Sequence, residues 1–369
     1  MNFYGIVCEF NPFHDGHRYL IQKTRELTGT DAIVCVMSGS MVQRGDVAVF
    51  DKWQRAASAV KNGADLVVEL PVGCVLQSAD KFAEGAVSLL NDLGASGISF
   101  GCECDNTELL TTLADIRESE PDEYKTALKA ALDAGRGYPS ACEEAIRKCM
   151  PDIEEEAFGP NSTLAAAYIK AARRLNGKMK FNAVKRIGEY HSTDLNVSYP
   201  SATAIREKLL RGEGECNCDI YDISRIAPLI LGFFRLADEE ELKDICSMEQ
   251  GLAKRMIKAA GESASVDEFV SKCVTKRYTA HRIRRVMLCA LLGIKQYQAP
   301  EYARVLAIGG KGAQILKEAK KSGKTEIITK IQKNKISEML RQDILATDIA
   351  SLCCGKKSGA DFLTTPFII

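Results

Sequence analysis

Two histidines three residues apart, His14 and His17, flank a glycine in Phe10-Asn-Pro-Phe-His14-Asp-Gly16-His17, close to the start of the chain. Residues at this spacing share one face of a helical turn, so both rings can point the same way. A helix N-terminus also presents unpaired N–H groups and the positive end of the helix dipole, which attract phosphate oxygens. Imidazoles placed there, charged or hydrogen-bonding, suit the stabilisation of charge that develops on an α-phosphate during nucleotidyl transfer. Such chemistry depends on positioning and electrostatics more than on a covalent nucleophile. Gly16 has no Cβ and lets backbone and nucleotide approach closely. The pair has two plainer readings, as capping or core histidines of a turn and as half of a zinc site. The zinc reading lacks a second His or Cys pair at ligand spacing nearby.

The surrounding elements fit a phosphate site. Residues 4–8 form an apolar run of strand length, and residues 18–27 carry apolar side chains at helical spacing. Apolar strands are expected at 31–37, 64–70 and 97–101, a loop at 38–46, and helices at 52–61 and 79–93. Continuous apolar strands separated by helices indicate an α/β fold, Rossmann-like, with a parallel sheet covered on both faces. Ligands of such sheets gather beyond the strand C-termini, where His14, the 38–46 loop and Gly101 fall. Residues 106–175 read as a helical insertion, with one helix starting at Pro160-Asn161, and 180–187 as a late strand. From about residue 212 onward the pattern is mainly helical. Two domains are therefore expected, 1–212 and 213–369. The cluster Gly309-Gly-Lys-Gly312 has no strand assigned before it and reads as a turn or an RNA-contacting loop.

Composition narrows the classes further. The 369 residues are 46% hydrophobic and 27% charged, which excludes a disordered chain, and formal net charge is zero. No stretch reaches membrane-spanning length and no signal peptide is visible, so no membrane partner and a cytoplasmic location are expected. The 14 cysteines are scattered without zinc-type pairing and read as reduced thiols. Charge is nonetheless segregated. Between Lys272 and Lys335, sixteen Lys and Arg face three acidic residues. The densest run contains Lys276, Arg277, Arg282, Arg284 and Arg285, with Tyr278 available to stack on a base. This is a candidate backbone-phosphate footprint for RNA; the plainer reading is a solvated helix face.

A second motif, Pro200-Ser201-Ala-Thr203-Ala-Ile-Arg206-Glu-Lys208, starts a later helix. Ser201 or Thr203 can cap it, and Arg206 and Lys208 can reach terminal phosphates. His14-Asp-Gly-His17 after a first strand, followed by this Ser/Thr-x-Ile-Arg element, resembles the signature of the HIGH-type nucleotidyltransferase superfamily. A fuller series resembles the bacterial tRNA(Met) cytidine acetate ligase family over nearly the whole chain. It comprises Glu9 to His17, Ser38-Gly-Ser-Met-Val-Gln-Arg-Gly45, Gly63 to Pro71, Phe100-Gly-Cys-Glu103, Pro160-Asn161, Lys185-Arg186 with Tyr190-His191, and Ser201 to Arg206. The chain departs from that family's pattern at Ser162, where Asn is common, at Cys102, where Ser is common, and at Asp46, where Glu is common.

The resemblance implies an enzyme that adenylates acetate with ATP, with Mg²⁺ assisting. It then passes the acetyl group to the wobble cytidine of elongator tRNA(Met), giving N4-acetylcytidine without coenzyme A. The same resemblance places ATP against Val7, Cys8, Glu9, Phe10, Asn11, Pro12, Phe13, His14, Asp15, Gly16, His17, Arg18, Tyr19 and Leu20. Gly101, Asn161 and Arg186 complete that set, Ser201 and Arg206 join it from the second motif, His14 and His17 are expected to be catalytic, and no metal-ligating residues are expected. A small-molecule adenylyltransferase and a non-catalytic RNA-binding protein are the alternatives. The oligomeric state is not encoded in these motifs.

Overall fold

A computed structural model describes residues 1–175, 178–186, 201–213 and 218–369. The end of the expected strand at Ile187, the Tyr190-His191 pair, Pro200 and Cys216 lie outside the described residues. The first half alternates as its apolar runs require: β1 (Phe3–Cys8), α1 (Asp15–Thr28), β2 (Ala32–Ser38), a small hairpin of β3 (Met41–Val42) and β4 (Asp46–Val47), and α2 (Lys52–Lys61). It continues with β5 (Leu66–Leu70), α3 (Val72–Val75), α4 (Ala79–Leu93) and β6 (Gly97–Cys102). Helices α5 (Thr107–Ser119), α6 (Asp122–Asp133), α7 (Tyr138–Cys149) and α8 (Pro160–Leu175) form the insertion, before β7 (Lys180–Lys185) and α9 (Ala202–Leu210).

Strand β2 shows why its whole length is apolar. Ala32, Val34 and Val36 face the core built with α4, α5 and α8, whereas Ile33, Cys35 and Met37 face the core under α1 and α2. A strand covered on both faces has no polar side to show.

The rest of the chain is helical only in part. It runs through α10 (Ala227–Leu236), α11 (Glu239–Leu242), α12 (Leu252–Gly261), α13 (Val266–Cys273) and α14 (Ala280–Leu292). There follow β8 (Tyr302–Ile308), α15 (Gly312–Ser322), β9 (Glu326–Ile328), α16 (Glu338–Leu352), α17 (Ala360–Leu363) and β10 (Phe367–Ile368). The sheet order is β10-β8-β5-β2-β1-β6-β7, with β9 also beside β8. All its pairings are parallel except β5 with β8. The expected mainly helical segment 213–369 thus sends three strands back to the sheet. The glycine cluster at 309–312 does follow a strand, which corrects its reading as an isolated turn. Gly312 lies so close to Asp65 that a Cβ would meet the Asp65 carbonyl oxygen at 2.0 Å, and the Lys311 N–H donates to Asp65 Oδ1 at 2.9 Å. This loop seals β8 against β5 and has a structural role.

A buried charge network completes the junction. Lys52 Nζ lies 2.8 Å from both Glu69 Oε1 and Asp361 Oδ1, and Arg304 pairs with the same two carboxylates. Beside it, Asp343 accepts from the Val72 N–H at 2.7 Å and from the Tyr302 hydroxyl at 2.5 Å; burial pushes its carboxyl up to about 7. Glu69, Lys52, Arg304 and Asp361 come from β5, α2, β8 and α17, so the network ties the end of the chain to the first half. Removing one member leaves buried charge uncompensated. Asp361→Ala is expected to lower unfolding free energy by about 3–5 kcal/mol in a denaturant titration; a loss below about 1 kcal/mol would contradict the role given to the network.

Candidate active site

The chain leaves β1 through Glu9 and Phe10, which is buried in the left-handed region at φ 46. A non-glycine residue there costs of order 1–3 kcal/mol and persists only where its surroundings impose it. The imposing group is Arg55 on α2, 1% exposed. Its guanidinium donates to the carbonyls of Glu9 at 2.5 Å, Ser38 at 3.1 Å, Phe50 at 3.0 Å and Gly39. One side chain thereby fixes the C-terminal ends of β1 and β2 and the entry to α2. Asn11 continues the turn, its Oδ1 accepting from the Val49 N–H at 2.8 Å.

His14 then caps α1. Its Nδ1 accepts from the Gly16 N–H at 3.1 Å, while His17 Nδ1 accepts from the His14 N–H at 3.3 Å, a reciprocal cap made by two imidazoles. The rings stack with centroids 3.8 Å apart. A Cβ on Gly16 would lie 2.9 Å from His14 Cε1, so the glycine makes room for this ring. Because both Nδ1 atoms accept, each neutral ring carries its proton on Nε2. Burial, with Arg186 next, pushes His14 down to about 4; burial, His14 and Arg186 depress His17 well below its ordinary value. Of the two forms considered for these rings, the uncharged donor is the one present at neutral pH. Full positive charge comes instead from Arg186 and Arg206.

Ser201 caps α9 by accepting from the Ala204 N–H at 3.1 Å. Arg206, one turn on, donates to the Asn11 carbonyl at 2.6 Å and to Thr203 Oγ1 at 3.1 Å. The two sequence motifs therefore meet directly. Lys208, expected to join them, is exposed and does not line the cavity. Asn161 Nδ2 donates to Glu103 Oε1 at 2.6 Å, and the Asn161 and Ser162 N–H groups donate to the same carboxylate. Burial raises Glu103, but the bonds from Asn161 and Ser162 outweigh it and hold the carboxyl below its usual range. Glu103 is thus the anion at the start of α8, and Asn161 helps bind it.

These groups enclose a cavity of about 320 Å³ at the C-terminal ends of the strands. Val7, Cys8, Glu9, Phe10, Asn11, His14, His17, Leu20, Gly101, Asn161, Arg186, Ser201 and Arg206 line it. Pro12, Phe13, Asp15, Gly16, Arg18 and Tyr19 do not; Asp15 and Arg18 pair with each other at 2.9 Å on exposed surface. Sequence reasoning missed Gln43, Arg44 and Asp46 of the hairpin, Leu164 and Tyr168 of α8, and Asp222. The sequence places the 38–46 loop at the strand ends, but nothing in its pattern marks which side chains turn inward. Burial raises the Asp46 carboxyl, against the opposing charge of Arg284.

The basic run occupies one rim and is less free than expected. Arg277 and Arg282 pair with Glu249, and Arg284 pairs with Asp267. Arg285 donates to the Gln43 carbonyl at 3.3 Å, whereas Lys276 is exposed. Tyr278 is buried and donates to Glu249 at 3.1 Å, so it is not available as a stacking platform. These acids are distant in sequence, which is why the run read as unpaired. Gly45, at φ 79, lies against the backbone of α14: a Cβ would meet Arg284 and Arg285 atoms at 2.6 Å. The basic helix is in this way joined to the cavity wall.

A mostly parallel sheet with a histidine-capped helix and arginines converging beyond its strand ends defines a nucleotidyltransferase-type site. Residues 1–362 match the family described as HIGH Nucleotidyl Transferase. The tRNA(Met) cytidine acetate ligase of Acetivibrio thermocellus is 31% identical over 98% of both chains, and that of Clostridium kluyveri is 35% identical over 100% of this chain and 99% of its own. The crystal structure of Thermotoga maritima TmcAL in apo form I superposes with TM-score 0.89 at 30% identity, and the form bound with alpha-thio ATP with 0.86 at 30%; both cover 100% of each chain. The chain belongs to the HIGH nucleotidyltransferase family and, within it, to the tRNA(Met) cytidine acetate ligases.

The depressed histidines make stability depend on pH. An unfolded histidine titrates near about 6.5 and folded His14 at about 4, so in this interval the unfolded chain binds more protons. Stability is expected to be full above the unfolded value and to fall as acid carries the pH towards the folded one. His14→Asn keeps an N-cap acceptor but removes the titrating ring. Its urea midpoint should fall less than that of the parent between about pH 7 and about pH 5; an equal fall would contradict the assignment.

Proposed function

We propose that this enzyme ligates acetate to the wobble cytidine of elongator tRNA(Met) in two steps that share the cavity. The observation that carries this reading is the convergence of two neutral Nε2–H imidazoles with Arg186 and Arg206 at one helix N-terminus. It is supported by the ligase names of full-length relatives and by a similar structure that holds an ATP analogue. ATP lies with its triphosphate over the capped turn. Acetate oxygen attacks the α-phosphate in line, the bond to the β-phosphate oxygen breaks, and pyrophosphate leaves with acetyl-adenylate formed. The imidazole N–H groups donate to the α-phosphate oxygens as charge builds there, and the arginines offset the charge of the leaving group. Neutral donors suit this task, since they bind the oxyanion without surrendering a proton to it.

In the second step the cytidine N4 amine attacks the acetyl carbonyl. Its bond to carbon forms, AMP leaves, and one proton is lost from nitrogen. Asp46 is our candidate acceptor of that proton, because it lines the cavity on the hairpin that α14 holds. A flipped-out base suits this step. Mg²⁺ carried on the triphosphate belongs to the same reading. The carboxylates lining the cavity, Glu9, Asp46 and Asp222, are few, as is usual where Mg²⁺ is bound mainly through substrate phosphates. No described helix is long and apolar enough to cross a membrane, and we assign the reaction to the cytoplasm, where tRNA is modified.

Incubation with labelled acetate, ATP and tRNA(Met), followed by nucleoside mass spectrometry, is expected to yield N4-acetylcytidine only when ATP is present. Loss of one transition-state donor typically costs about 10²–10³-fold, and His17→Ala should lose at least that in acetate-dependent ATP–pyrophosphate exchange while the folded core survives. Full exchange activity in that variant would remove His17 from the mechanism. Asp46→Asn is expected to slow acetyl transfer by about 10²-fold or more, with exchange much less affected. Equal losses in both steps would assign Asp46 to adenylation instead.

A further inference from the structure

A second cavity, of about 220 Å³, lies behind the first. The wall between them is a single stretch of chain at residues 47–50. Val47 and Val49 face the first cavity, while Ala48 and Phe50 face the second, and Tyr221 borders both. The Tyr221 N–H donates to the Val49 carbonyl at 3.0 Å, fixing this partition. A ligand in the second cavity would therefore sit one chain thickness from the acid-activating site.

The lining has four kinds of surface, one of them the carboxylate of Asp51, which caps α2 by accepting from the Gln54 N–H at 2.8 Å. Trp53 and Phe50, both half-buried, give aromatic faces, while Tyr221 is buried. Lys356 and Lys357 stand exposed at the mouth, Lys356 over the Tyr221 ring at 6.0 Å and paired with Asp219. Three buried hydroxyls form the last surface, and their protons are already committed. Ser40 donates to Thr347, Thr347 to the Asp343 carbonyl at 3.2 Å, and Ser351 to the Asp348 carbonyl at 2.7 Å. What these oxygens still offer is lone pairs. A matching ligand is flat, carries N–H donors, and bears a negative charge that reaches the cations.

We infer that this cavity receives a nucleotide of the RNA substrate next to the one that is acetylated, its base an amine-bearing adenine or cytosine stacked against Phe50 and Trp53 and its phosphate against Lys356 and Lys357. The inference rests on the proposed RNA substrate. Aromatic stacking beside a basic rim is the usual recognition of a splayed single-stranded base. The occupant is committed to be part of the RNA strand, because one thickness of chain separates the cavity from the site where that strand must deliver its cytidine; a free mononucleotide presents the same chemistry and is the competing source.

The test is lysine footprinting with an amine-reactive reagent and peptide mass spectrometry, on the full chain alone, with tRNA(Met), and with AMP or CMP. tRNA should protect Lys356 and Lys357 from labelling, and mononucleotides at matched nucleotide concentration should not. In parallel, the double variant Lys356→Ala/Lys357→Ala is expected to raise KM for tRNA about tenfold, and to lower the salt slope of binding by about one to two. Acetate-dependent pyrophosphate exchange should stay unchanged, and Lys356→Arg/Lys357→Arg should restore KM. Protection by mononucleotide but not by tRNA would overturn the inference in favour of a free ligand; protection by neither, or an unchanged KM and salt slope, would overturn it outright. If the wild-type enzyme fails to acetylate tRNA, the proposed function fails separately, and the footprint still reports whether RNA occupies the cavity.

Discussion

A buried guanidinium sets the geometry of this enzyme. Arg55 gives its donors to four backbone carbonyls at the ends of β1 and β2 and at the entry to α2. Burial lowers its affinity for protons, to about 10, yet it stays charged at any physiological pH. Carbonyls gathered at strand ends would otherwise be buried acceptors without donors, each costing about 1–3 kcal/mol. Satisfying them together allows Phe10 to hold its left-handed backbone and directs the chain into the histidine cap. The histidine-capped turn is therefore held from behind, by a residue that does not line the cavity.

That constraint explains the electrostatic form of the site. His14 and His17 spend their Nδ1 atoms on backbone N–H groups and lie beside arginine in partly buried surroundings. A protonated pair stacked at 3.8 Å would repel itself and the arginines. The arrangement instead separates two duties: the imidazoles supply short-range directional donors, and the arginines supply charge. A neutral donor fixed before substrate arrives needs no reorganisation as the α-phosphate gains charge, which is the condition under which such contacts accelerate a reaction most. The buried ion network around Lys52 and Glu69 serves the same end on a larger scale. By tying β8 and α17 to α2 and β5, it joins the end of the chain to the sheet whose strand ends carry the cavity.

Much of this was legible in the sequence. The bounds of α2, α4 and α8 follow the caps and apolar spacing, and the apolar strands β1, β2, β5 and β6 follow from burial on both faces. The pairing of the His14–His17 turn with the Ser201–Arg206 element was visible as two motifs and became an observed contact through the Asn11 carbonyl. What escaped was non-local. Strand β8 follows a polar segment and sits late in a helical region, so its pairing with β5 has no local signature. Arg55 has no local signature, because the four carbonyls it satisfies are scattered along the chain. The acids that occupy Arg277, Arg282 and Arg284 lie far enough upstream that the basic run appeared unpaired. Asp46 and Gln43 turn inward only because the hairpin closes, and the register of a two-residue hairpin is invisible to periodicity.

The central claim is that His14 and His17 act as neutral Nε2–H donors held by reciprocal capping. Long-range proton–nitrogen NMR correlations of the imidazole rings test it most directly, and with only 4 histidines in the chain the spectra can be assigned by substitution. The expected result at neutral pH is an unprotonated Nδ1 and a protonated Nε2 on both rings, with no imidazolium before acid is added. A proton on Nδ1 of either ring, or an imidazolium at neutral pH, would contradict the account.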